Sequence, residues 1–219
     1  MKYVKMLGLA AIAAAALMAL VGASTASASR LCKVNTETEM CSEANKYGSN
    51  QEIHAVLTAG KIAKLSTAFK TIECKKSTVK GKIAEEWTGS TTQTVTGPIE
   101  VLNFEECNCT VNVLKTGTLE VHADPITDEG GKVTDTDNGI LTSNGAEVTV
   151  TCASIFGNVH CIYVTENTTI GTLTGGNPAE LDANANIPRK PTDGLCSEEA
   201  KWTAEYEVTT PKPLYVSTG

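Results

Sequence analysis

Apolar and polar residues alternate along much of this chain with a period of two. The clearest run is 202–209. Trp202, Ala204, Tyr206 and Val208 share one face, and Thr203, Glu205, Glu207 and Thr209 share the other. Residues 179–187 repeat the pattern, with Leu181, Ala183, Ala185 and Ile187 set against Glu180, Asp182, Asn184 and Asn186. Such alternation marks a half-buried strand. Residues 145–164, GAEVTVTCASIFGNVHCIYV, read as a β-hairpin. Val148, Val150 and Cys152 alternate with Glu147, Thr149 and Thr151, Cys161 opens the second arm, and Gly157 and Asn158 suit the turn between them.

The rest of the chain follows the same rule. Residues 53–64 have helical spacing broken by Gly60, and read as strand. Residues 68–74 and 78–87 read as successive strands. Residues 91–104 form a long strand interrupted at Gly97-Pro98, which implies an edge, a bulge or a break. Residues 109–114 and 118–123 suggest a hairpin across 115–117. Residues 139–142 resume the sheet, and Asn144-Gly145 is a strong two-residue turn signal. Residues 169–174 and 214–216 complete the set. About a dozen short strands with Gly and Asn turns predict an all-β domain, a disulfide-stapled β-sandwich or, alternatively, a partly open β-barrel.

The N-terminus has a different character. Lys2 and Lys5 precede an apolar stretch from Met6 to Val21, and Ala26-Ser27-Ala28 is a small-x-small cleavage site. This is the pattern of a secretory signal peptide. The expected organisation is a signal peptide over 1–28 and a single all-β domain over 29–219, with the polar stretch 29–50 as a disulfide-pinned flap. The mature chain has no membrane span and is secreted or associated with the cell envelope. The balance is 18 basic against 25 acidic residues. No basic stripe exists to neutralise phosphates, which argues against a nucleic-acid partner.

Eight cysteines lie beyond the signal: Cys32, Cys41, Cys74, Cys107, Cys109, Cys152, Cys161 and Cys196. An even count behind an export signal reads as disulfides. Cys32–Cys41 and Cys152–Cys161 would each close a short hairpin. Cys107 and Cys109 are too close to bridge each other comfortably, which leaves them Cys74 and Cys196. A faint internal echo between 71–119 and 149–173 offers another scheme, Cys74–Cys109 with Cys107–Cys196.

The runs TIECKKSTVKGKI (71–83), GPIEVLNFEEC (97–107), GTLTGGNPAELDANANIP (171–188) and KWTAEYEVTTPKPLYVS (201–217) resemble a group of small exported proteins of high-GC soil actinobacteria. The resemblance implies export and a β fold. It brings no catalytic or binding residue.

The candidate chemistry is sparse. Residues 124–138, DPITDEGGKVTDTDN, are rich in hard oxygen donors. Asp135 and Asp137 stand at alternate positions before Gly139, like the front of a calcium loop, with Asp128 as a further ligand. The closing glutamate of that loop type is missing. His54, His122 and His160 form no HxxxH or HxH pair, although His160 adjoins Cys161, a conceivable zinc pair. Cys107-Asn-Cys109 fits two structural half-cystines better than a redox motif. There is no GxSxG elbow and no phosphate-binding glycine loop. The expectation is an exported, non-enzymatic structural or binding module with no cofactor beyond possible calcium and an unknown extracellular or envelope partner. The alternatives are a carboxylate-based hydrolase of envelope polymers or glycans and a weakly calcium-binding adhesion module.

Overall fold

The computed structural model describes residues 29–36, 41–84, 94–124, 126–127, 133–135, 137–155, 157–191 and 196–218. The expected signal peptide, residues 1–28, lies outside these. In chain order the strands are β1 (Ser29–Cys32), β2 (Glu52–Leu57), β3 (Ala63–Ser66), β4 (Thr71–Lys82), β5 (Val95–Cys107), β6 (Thr110–Lys115), β7 (Thr118–Ala123), β8 (Ile126–Thr127) and β9 (Val133–Asp135). They continue with β10 (Asn138–Asn144), β11 (Glu147–Ser154), β12 (Gly157–Val164), β13 (Thr168–Thr174), β14 (Glu180–Pro188), β15 (Glu199–Thr210) and β16 (Tyr215–Thr218).

The all-β expectation holds, and both its sandwich and its barrel forms fit. Eight antiparallel strands close on themselves in the order β14-β13-β10-β7-β5-β4-β2-β15, with β15 returning to β14. Closure removes the exposed edges that an open sheet must otherwise protect. The alternating residues read from the sequence point where they should. Leu181, Ala183, Ala185 and Ile187 of β14 are buried inside, while Glu180, Asp182, Asn184 and Asn186 face out. On β15, Ala200, Ala204, Tyr206 and Val208 are buried. Tyr206 is fully enclosed, and its hydroxyl shares a 2.9 Å hydrogen bond with Ser77 Oγ. Burial pushes its pKa up to about 12.

Two strands share one slot in the wall. β2 and β3 run in the same direction, and both lie between β15 and β4. The intervening residues 58–62 loop outward, tied by a hydrogen bond from Thr58 N to Glu205 O at 2.9 Å. The expected strands 68–74 and 78–87 merge into one continuous strand, β4, from Thr71 to Lys82; residues 85–87 lie outside the described residues. The bulge expected near Gly97-Pro98 is present. The β4–β5 register shifts between Lys80 and Gly81, opposite Ile99 to Val101.

The largest difference from the sequence reading concerns 109–123 and 139–154. β6 and β7 do not pair with each other. β7 pairs with β5 and β10 in the barrel, and β6 pairs with β11 in a separate three-stranded sheet, β12-β11-β6. The Asn144-Gly145 turn likewise does not reverse the chain. Thr118 faces Asn144 in the barrel and Lys115 faces Glu147 in the small sheet, so one register runs through the corner. Ser143 faces Thr168 and Glu147 faces Val164 in the same way. Three long strands therefore bend together from the barrel wall into a second sheet, as at the corners of orthogonal packings. Gly117 (φ +72°) and Gly145 (φ +77°) make the two inner bends. A Cβ on Gly117 would overlap the Asn144 oxygen and the Ala146 nitrogen. At the third bend, Thr165 Oγ1 accepts from Ala146 N at 3.0 Å and shares a 3.0 Å bond with Ser143 Oγ.

The opposite end of the barrel is closed by the short β1–β16 ladder. The expected Cys32–Cys41 disulfide is present there. Tyr47 adds a 2.6 Å hydrogen bond from its hydroxyl to Pro213 O.

The other three disulfides correct the sequence reading. They are Cys74–Cys107, Cys109–Cys152 and Cys161–Cys196. Cys74 does take one member of the Cys107/Cys109 pair, but Cys152–Cys161 does not form, and neither link of the echo scheme is present. The β11–β12 hairpin turns at Ser154–Gly157, earlier than the cysteine spacing suggests. Cys152 then sits opposite Val159, and Cys161 opposite Val150. Diagonal neighbours on one sheet face stand about 7–8 Å apart, too far for a disulfide.

Candidate functional site

The small sheet β12-β11-β6 folds across one end of the barrel as a lid. Beneath it lies a cavity of about 100 Å³. The barrel contributes Ile72, Leu102, Phe104 and Trp202 to its lining, and the lid contributes Val148 and Val150. Trp202 packs edge-on to Tyr206, with ring centroids 6.4 Å apart. A second void of about 70 Å³ lies toward the β1–β16 end, and Leu31, Val121 and Leu214 are among its walls. Val79, Ile99, Leu119 and Leu181 border both.

The wall is incomplete beside the larger cavity. β5 and β6 follow each other through Asn108-Cys109, yet they belong to different sheets and no ladder joins them. Beyond Ile99, whose N–H donates to Gly117 O at 3.0 Å, β5 is paired on its β4 side alone. Inward-pointing residues along this seam, Leu102, Phe104, Val111 and Val113, are half-buried where their counterparts on β14 and β15 are buried. Leu102, Phe104 and Val111 of this seam line the cavity.

Three disulfides surround this end. Cys74–Cys107 joins β4 to β5, and Cys109–Cys152 joins the start of β6 to β11. Cys161–Cys196 fastens the lid strand β12 to the segment between β14 and β15. That segment also runs along the β12 edge, with Lys190 N donating to Ile162 O at 2.8 Å.

Glu147, at the lid's bend, is buried and bridged by Lys190 Nζ at 3.0 Å and Lys115 Nζ at 3.3 Å. The hydrogen bond from Lys190, with help from Lys115, holds its carboxyl below the ordinary 4.5 against the opposing effect of burial. A lowered carboxyl pKa stabilises the fold above the unfolded value and loses that effect as pH falls through the folded one. Glu147→Gln should therefore lower the melting temperature at pH 7 and have little further effect well below pH 4.5. Melting curves of both proteins across that range check this. Parallel curves at every pH would refute it.

Of the residues singled out from the sequence for calcium, Asp137 alone has its side chain among the described residues. Asp128 lies outside the described residues. Asp135 ends β9, and its side chain is likewise outside the description. The Asp137 carboxylate is buried, and its Oδ1 accepts from Thr36 N at 2.9 Å and Thr36 Oγ1 at 2.7 Å. Its carbonyl accepts from Gly175 N at 3.0 Å and Val216 N at 3.1 Å. Asp137 thus ties the flap, β16 and the 174–176 turn together. Among the described residues no three His, Cys, Asp or Glu side chains gather to hold a metal. His160 Nδ1 shares a 2.8 Å bond with Thr151 Oγ1, and its neighbour Cys161 is oxidised.

Among the described residues no helix is long and apolar enough to cross a membrane. Four disulfides with no free cysteine among the described residues fit an oxidising, extracellular environment. Compared with family models, curated proteins and solved structures, the chain matches none.

Proposed function

We propose that this chain is an exported binding module that holds a small apolar ligand inside its barrel. The observation that carries the reading is the apolar cavity of about 100 Å³ between barrel and lid, beside the unpaired β5–β6 seam. Antiparallel barrels of this strand number are wide enough to be filled by side chains or to keep room for one small ligand. The cavity is below the ~300–1,000 Å³ of drug-sized ligand sites, so the fitting guest is compact. Two features support export. The disulfides suit a compartment outside the cytoplasm. Ser29, the first residue after the expected cleavage, already lies in a strand, buried and paired with Thr218.

The test uses the protein recovered from its export medium. Solvent extraction followed by gas chromatography and mass spectrometry should release a small apolar compound in near-stoichiometric amount, and emptied protein should take up xenon in the cavity. An empty extract together with xenon exclusion would sink the reading.

A further inference from the structure

Most polar groups bordering the cavity are already committed elsewhere. Ser143 Oγ and Thr165 Oγ1 bond each other, and Thr165 Oγ1 also receives the Ala146 N–H. The Tyr206 hydroxyl is bonded to Ser77. Lys64 is half-exposed, and its ammonium stands 3.6 Å from Glu73. The Trp202 N–H and the Tyr163 hydroxyl are buried without a hydrogen-bond partner, but both have almost no accessible surface, so neither faces the void.

From this we infer that the ligand is a small hydrocarbon without a hydrogen-bonding group. The inference rests on the cavity being a binding site and names its ligand class. A guest carbonyl or hydroxyl would be stripped of water and meet no partner, which costs free energy in an apolar interior. A hydrocarbon loses nothing on entry and gains dispersion contacts with Ile72, Leu102, Phe104 and Val150. Size narrows the class further. An engineered apolar cavity of about 150 Å³ takes benzene, so a void of about 100 Å³ suits a branched or cyclic hydrocarbon of roughly five carbons or fewer.

The probes are cyclopentane and cyclopentanone, the same ring without and with a carbonyl, titrated into the emptied, disulfide-bonded protein. Methyl resonances of Ile72, Leu102 and Val150 report binding, and xenon is run alongside. The expected result is xenon uptake, with cyclopentane binding at least tenfold more tightly than cyclopentanone. If xenon enters but the ketone binds as well as the hydrocarbon, or cyclopentane does not bind, the hydrocarbon assignment is overturned while the cavity reading survives. If xenon also stays out, both fall. The measurement needs no mutant, so no folding defect can obscure it.

Discussion

Replacing Cys161 and Cys196 together by alanine should lower the unfolding free energy by roughly 3–4 kcal/mol in the chain-entropy account of a loop of this length. The two residues are 35 apart in sequence, and their bond fastens the outer lid strand to the barrel. Without it, β12 keeps its ladder to β11 and its backbone bond from Lys190, but the unfolded chain regains the freedom the crosslink removed. The paired change Cys32→Ala with Cys41→Ala is the internal comparison. It opens a loop with a separation of only 9, and the same account gives roughly 2.5–3 kcal/mol. Urea midpoints of the two variants and the parent decide the matter. A larger loss from the short loop would show that strain or residual structure, not loop entropy, governs these bonds. Binding should separate the two as well, because only the lid variant loosens a cavity wall.

Gly171→Ala should be more damaging still. Gly171 lies in β13, with Leu141 opposite it on one side and Ala183 on the other. The register shifts beside it, so Ile170 is an extra residue on that strand. The compression leaves no room for a side chain. A Cβ there would overlap the Asp182 carbonyl oxygen and lie 2.8 Å from Ala183 Cα. Both neighbours are backbone of β14 and cannot rotate away, so the β13–β14 ladder must part. A loss above about 3 kcal/mol, or failure to accumulate folded protein, is the expected outcome, beyond the usual 1–3 kcal/mol of overpacking. Gly60→Ala is the control. Gly60 has φ +80° but nothing within 4 Å of its would-be Cβ. That substitution meets left-handed backbone strain alone, about 1–2 kcal/mol. Similar losses at both sites would mean that backbone conformation, not close packing, sets the cost.

Much of the fold was legible where a single local signal settles the outcome. The alternation in 179–187 and 202–209 assigns both the strand and its inward face, because a one-residue slip would put Glu and Asp in the core. Cys32–Cys41 was legible because a short loop brings its ends together in almost any arrangement. Sheet membership was not legible. Asn144-Gly145 carries the chemistry of a reversal, yet the same positive φ makes a corner when the neighbouring strand bends beside it, as it does at Gly117. Nothing local distinguishes the two. The disulfide pairs failed for the same reason: Cys109 meets Cys152 only because three strands turn together into the lid. The candidate site was the least legible part. Its walls come from several strands on both sides of that bend, and Leu102, Phe104 and Val111 look in the sequence like any inward-facing residues. The acidic loop drew notice instead, since charge is visible in a sequence and empty space is not.

The pairing of the first and last described strands has a mechanical consequence. β1 and β16 are antiparallel, and Ser29 stands opposite Thr218 at the outer end of a ladder four pairs long. Tension applied between residues 29 and 218 would peel these pairs apart one after another rather than shear them together. The closed barrel would carry no load until that clasp had opened. Anchored by one end, the domain would feel no such force; strung between two attachments, it would yield first at the flap end, leaving the lid and its cavity intact.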